Sequence, residues 1–289
     1  MVLKIIDTIL SGLLMGGIYA LIAVGLSMQY GVARVLNIAH GEYIMLGAFI
    51  TWSLFTVYKI NPILSLLIIG PAMLLLGFLL YKTLYRSIRL SSTSPAVFEA
   101  NSMLASFGLL FIIQNAAILG WGASIKGYSY LAFPVNIGGA VFPANRLVTL
   151  LFAVVICTVF YLFLSRTRLG KAIRAAAQDP AAAGLMGVNI NKVLAICFGL
   201  GAMMAGLAGT LLSMSFRIQP TIGLEYALIA IIVIVLGGLG SIPGSFLGGF
   251  ILGLIGSIVS SIEPSLSLVA YYLLFMLLLL VKPTGILGR

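Results

Sequence analysis

The residues able to do chemistry on a small molecule are few, and the tightest group sits in one hexapeptide. Asn37, His40 and Glu42 lie in NIAHGE, between two apolar runs, and His40 is the single histidine of the chain. Ionisable groups at membrane depth are expensive and are usually kept for function. Two readings of the group stay open. In one, a helix starts after a break, its free N–H groups and positive end face a cavity, and Asn37, His40, Gly41 and Glu42 line a translocation path. In the other, Asn37 caps the helix, Glu42 complements its dipole, and His40 rests at the membrane interface. Glu225 opens a later apolar block and reads as a first-turn acid. Glu99, Gln114 and Asn115 mark the fourth block as a candidate cavity wall.

Catalytic constellations are otherwise missing. One histidine builds no metal cluster, and Cys157 and Cys197 fall inside apolar runs, where they read as small buried hydrophobes. There is no G-x-S-x-G for a nucleophile elbow and no phosphate-binding G-x-x-x-x-G-K-[ST], because Gly170-Lys171 is followed by Ala172. The expectation is a chain that is not an enzyme and carries no cofactor. Any ATP it depends on is bound by another subunit.

The elements that must position these residues follow from composition. Of 289 residues, 62 % are hydrophobic and 8 % charged, more apolar surface than one soluble core can hide. The fold class expected is all-α, a polytopic transmembrane bundle of about 8–10 spans of ~20 residues each, forming one domain over residues 1–289. Spans are expected near 8–30, 36–57, 62–82, 98–120, 147–164, 191–214, 223–240, 244–262 and 266–282, the first retained rather than cleaved as a signal peptide. A net charge of +10 would suit nucleic acid in a soluble domain, but here the cations sit at the ends of apolar blocks. That is the pattern of anchoring to membrane lipid, with no nucleic-acid partner. If loop 165–192 is cytoplasmic, only Lys4, Lys59, Lys126, Arg146 and Arg217 lie outside, which leaves 11 of the 16 Lys and Arg inside. The N-terminus is then outside and the C-terminus cytoplasmic.

Breaks near 31–36 and 237–244 interrupt apolar runs in comparable places of the two halves. Paired interruptions point to a transporter's central path, which makes Gly237, Gly238, Gly240 and Gly244 further path candidates. Small residues at four-spacing (Gly12 and Gly16, Ala205 and Gly209, Gly244 and Gly248, Gly249 and Gly253) allow close helix packing. In the outer loop 121–146, Trp121, Tyr128, Tyr130 and Phe133 read as an interfacial belt or as a partner's landing surface.

Loop 165–192 is the one long stretch where charge, helix formers and a proline occur together. Asp179-Pro180 stops one short helix and starts another, and Gly187 ends the second. Such a soluble helix pair can be pushed by a partner as a rigid body, or it can lie on anionic lipid.

NIAHGEYIMLGA, RTRLGKAIRAAAQDPAAAGLMGVN and GGLGSIPGSFLGGFILG together resemble the branched-chain amino acid ABC transporter permeases. The resemblance implies an importer subunit in the inner membrane of a bacterium. It would work with a second, homologous permease, two cytoplasmic ATPases and an extracytoplasmic substrate-binding protein. It also implies that Arg168, Gly170, Arg174, Asp179, Pro180 and Gly187 belong to the ATPase-coupling loop. Asn37, His40, Gly41 and Glu42 match a second-span motif of the family, and Gly237, Gly238, Gly240, Gly244 and Gly248 a late glycine motif. The motifs leave the substrate open among branched-chain and other amino acids, urea and short amides. The rival reading is an autonomous secondary transporter or channel, which needs ion-coupling acids deep in its spans.

Overall fold

A bilayer core offers backbone N–H and C=O groups no water, so each apolar block satisfies them within itself, as a helix. The computed structural model describes residues 2–137, 140–282 and 284–287. Helices α1 (Val2–Ala33), α2 (His40–Thr56) and α3 (Pro62–Leu80) come first. A π turn (Tyr81–Tyr85) then joins α3 to α4 (Arg86–Ser91). Next come α5 (Pro95–Trp121), a hairpin of β1 (Pro134–Ile137) and β2 (Ala140–Pro143), and α6 (Ala144–Arg166). The short α7 (Arg168–Gln178) and α8 (Pro180–Leu185) precede α9 (Ile190–Ser215), α10 (Ile222–Gly237), α11 (Ile242–Ser260) and α12 (Ser267–Val281).

Among the described residues, 7 helical runs are long and apolar enough to cross a membrane. The other two expected spans are present as shorter helices, α2 of 17 residues and α10 of 16. They are the two helices beside the breaks, where non-helical chain at 34–39 and 238–241, each with a turn, replaces helix. The third expected span is longer than its apolar block and runs through the π turn to Ser91.

α9 and α1 form the buried axis of the bundle, while α5 and α12 turn most of their surface outward. Apolar burial drives little helix association in lipid, so close backbone approach has to supply it. The small-residue pairs do this inside the bundle. Gly12 and Gly16 of α1 lie against Leu254 and Phe250 of α11, while Gly249 and Gly253 lie against Ala20 and Gly16. Gly209 of α9 packs on the Ile44 carbonyl of α2.

In α5, Asn115 is exposed and donates to its own helix at Phe111 O, 2.8 Å away, while exposed Glu99 lines a cleft of about 330 Å³ together with Arg34 and Arg89. Three of the four loop aromatics bond through their polar tips, and Phe133 is exposed. Trp121 Nε1 donates to Ser53 Oγ (2.7 Å), Tyr130 OH donates to Asn61 Oδ1 (2.8 Å), and the Tyr128 hydroxyl meets Ser213 Oγ (2.9 Å). These bonds, with an antiparallel bridge between Lys126 and Ile218, pin the loop onto the ends of α2 and α9. Burial pushes the Tyr128 hydroxyl up to about 12, so it stays protonated at neutral pH.

Candidate functional site

The break between α1 and α2 is held by side chains, because a non-helical segment at membrane depth must find partners for its own backbone. Ile38 N donates to Ser106 Oγ of α5 (3.1 Å), and His40 N turns back to Asn37 O (3.1 Å). Asn37 is the knot. Its Nδ2 donates to Gln29 Oε1 of α1 (3.2 Å) and to Tyr43 OH of α2 (3.3 Å). Its Oδ1 accepts from Tyr85 OH in the π turn (3.1 Å), and Gln29 Nε2 donates onward to Phe198 O of α9 (3.1 Å). The π turn aims Tyr85 at this network, a use typical of such bulges. Asn37 therefore caps nothing: the N-cap of α2 is Ala39, which makes no side-chain bond.

His40 is wholly buried rather than interfacial. Its Nε2 lies 3.1 Å from the Ile22 carbonyl, about three turns before the end of α1, and since a carbonyl only accepts, Nε2 carries the proton. Its Nδ1 has no partner among the described residues. Gly41 meets the Gly223 carbonyl so closely that a Cβ would collide with it. Glu42 is buried too, its carboxylate against Gly223 in the first turn of α10 and without a hydrogen-bond partner. The α10 N-cap, Thr221, makes no side-chain bond, and the Glu42 carboxyl group sits at this uncapped helix start. The first turns of the two short helices thus meet inside the bundle, clasped through Gly41, Glu42 and Gly223.

The second break is tied differently. Gly237 packs on Gly244, and Gly240, with φ of 80°, approaches the Gly31 Cα of α1. Carbonyls left open at the end of α10 are closed from the chain's far end: Ile286 N donates to Leu236 O (2.9 Å) and Leu287 N to Gly237 O (3.1 Å). Beside this break lies a cleft of about 330 Å³ whose lining includes Ser27, Gly31, Gly240 and Ser241, roofed by Ile173 and Arg174 of α7. Of the candidate glycines, Gly240 reaches a cavity, whereas Gly237 and Gly244 meet each other.

The two short helices form as their punctuation dictates. The Thr167 side chain accepts from Gly170 N (3.0 Å) to start α7, and Asp179 Oδ1 accepts from Ala181 N (2.9 Å) and Ala182 N (3.0 Å) to start α8. Gly187 closes the unit in the left-handed region at φ 85°. Gly170 lies on the backbone of Phe163 and Leu164, folding α7 tightly against the end of α6. Arg168, Arg174, Asp179, Pro180 and Gly187 are all exposed at this end of the bundle. At the opposite end, where α9 and α11 finish and α6, α10 and α12 begin, a cavity of about 490 Å³ opens between the helices.

The chain matches the family described as branched-chain amino acid transport system, permease component, over residues 8–281. It belongs to this family. A high-affinity branched-chain amino acid transport permease of Pseudomonas aeruginosa is 33 % identical, over 98 % of this chain and 96 % of its own length. The corresponding permease of Salmonella typhimurium is 32 % identical over 99 % and 96 %. A ribose import permease of Escherichia coli is 34 % identical, but over only 43 % of this chain. No solved structure matches.

For a permease of this family, two placements were not foreseen from the sequence. Leu185 and Met186, at the tip of α8, are 90 % and 85 % exposed, bare apolar groups beside the cations of α7. Arg146 and Glu225 both line the large cavity at the far end, although they stand 79 positions apart (225 − 146) on different helices. Nothing local in the sequence joins them.

Proposed function

We propose that this permease is the membrane-spanning subunit of an ATP-driven importer in a bacterial inner membrane. It carries branched-chain amino acids, or amino acids and amides close to them, into the cell. A second, homologous permease completes the pathway, a soluble binding protein delivers substrate from outside, and two cytoplasmic ATPases bind the ATP. The observation that supports this reading best is the pairing of ends: exposed, well-capped α7–α8 at one end, and a cavity of about 490 Å³ at the other. With α7–α8 cytoplasmic, as the distribution of cations favours, the cavity faces the substrate's side.

In this mechanism the ATPases grip α7–α8 through Arg168, Arg174, Asp179 and the Leu185–Met186 tip. Gly170 transmits their movement to α6 through its backbone contact. The cleft under Arg174 couples that motion to the break at Gly240. Asn37, His40 and Glu42 hold the two short helices whose separation opens the path. Nucleotide does work only by favouring one arrangement over the other.

Reconstituting the permease with its partner subunits in liposomes tests this. Leucine uptake should require both internal ATP and the binding protein. The buried, unpaired Glu42 is the one acid that an ion-coupled carrier would use; gradient-driven uptake by this chain alone, without any ATPase, would establish that second reading instead.

A further inference from the structure

The cavity of about 490 Å³ has the size of a small-molecule site and a composition unlike the rest of the bundle. It carries one cation, Arg146 at the start of α6, and one anion, Glu225 in the first turn of α10. No ion pair joins them among the described residues. The Arg146 guanidinium lies over the Phe216 ring at 5.9 Å, and the Glu225 carboxylate accepts no hydrogen bond from a described residue. Ser267 Oγ, also in the lining, is buried with no partner. Leu14, Ile18, Ile229 and Leu268 supply the apolar wall, and Tyr19 and Tyr271, with hydroxyls 3.4 Å apart, stand at its inner side. Glu225 is exposed to the cavity mouth and Arg146 is half-buried, and serines share the lining with the aliphatic wall. Two opposite charges that face one cavity without pairing to each other suit a ligand that carries both charges itself.

We propose that this cavity is a zwitterion site, the first station of the pathway inside the membrane subunit. Arg146 takes the α-carboxylate of an amino acid, Glu225 its ammonium group, and Leu14, Ile18 and Leu268 receive an aliphatic side chain. The inference rests on the import reading above and narrows it: free amino acids with both charges are accepted, urea and simple amides are not. Arg suits the carboxylate because its planar fork bonds both oxygens at once.

The test uses the importer assembled with its partner subunits and bearing Ser260→Cys at the exposed rim of the cavity; both native cysteines are buried. L-Leucine should slow alkylation of the new thiol by a maleimide. Leucinamide, which lacks the carboxylate, and 4-methylpentanoate, which lacks the ammonium, should need roughly tenfold or higher concentrations for equal protection. Arg146→Gln or Glu225→Gln should abolish the discrimination, each against the analogue missing its partner group, while Arg146→Lys and Glu225→Asp retain it. The paired exchange of Arg146→Glu with Glu225→Arg should recover protection lost in either single reversal, because a zwitterion can bind turned around. Equal protection by all three compounds, absence of protection, or discrimination that survives both neutral substitutions overturns the zwitterion site. If unmodified importer takes up leucine in any of those cases, the import reading stands and this inference alone falls. If it takes up no amino acid, the parent reading has failed.

Discussion

At the scale of single residues, the Asn37 amide satisfies more partners than any other side chain in the bundle's interior. Replacing it in Asn37→Ala strands Gln29 Oε1 and the Tyr43 and Tyr85 hydroxyls in a place water does not readily reach. The expected cost is about 2–4 kcal/mol, read as a lower thermal midpoint of the detergent-purified permease. An unchanged midpoint would mean that water takes over the amide's bonds, and that the break is a wet part of the path. Gly41 makes a sharper test of geometry. Gly41→Ala drives a methyl group into the Gly223 backbone, whereas Gly108→Ala, with open space around it, adds a methyl at no steric cost. Folded yield should collapse for the first and hold for the second, as judged by monodisperse material on size-exclusion chromatography.

At the scale of elements, the α7–α8 pair separates capping from charge. Asp179→Asn keeps an N-cap and loses the negative charge; Asp179→Ala loses both. If α8 matters as a rigid handle, ATP-driven uptake should survive in Asn and fall in Ala, with equal amounts of protein in the membrane. The reverse pattern would make the carboxylate itself the contact with the ATPase. Gly170→Val should uncouple more severely, because α7 can no longer seat on Phe163 and Leu164. This unit was legible in the sequence, since Thr167, Asp179, Pro180 and Gly187 act within a turn or two of themselves. The other elements were less so. The cap reading of Asn37 stayed open because Gln29 and Tyr85 are brought to Asn37, and Phe198 to Gln29, only by packing, across 8, 48 and 169 positions. The clasp of Gly41 and Glu42 on Gly223 joins the start of α2 to the start of α10, and no periodicity announces a contact of that range. The partners of the loop aromatics, Ser53, Asn61 and Ser213, were equally out of reach of the sequence, because each lies on a different helix or helix end.

At the scale of the molecule, the charge count predicts which end faces which compartment. In cells, an impermeant maleimide should label Ile125→Cys in intact spheroplasts and Ala181→Cys only after permeabilisation, both positions being exposed and both native cysteines buried. Labels in the opposite order would invert the molecule and move the amino-acid cavity to the cytoplasmic side. There is also a consequence in time. The end of α10 is closed by backbone bonds from Ile286 and Leu287, made by the ribosome about fifty residues after Leu236. Until those residues emerge, α10 enters the membrane with open carbonyls, each costing about 1–3 kcal/mol if buried unpaired. Its final seating must therefore wait for the tail, which makes the break beside Gly240 the last seam of the bundle to close. A ribosome stalled before Ile286 would release a chain whose membrane core is frayed at that seam, a mark by which a membrane protease can distinguish an unfinished copy from a finished one.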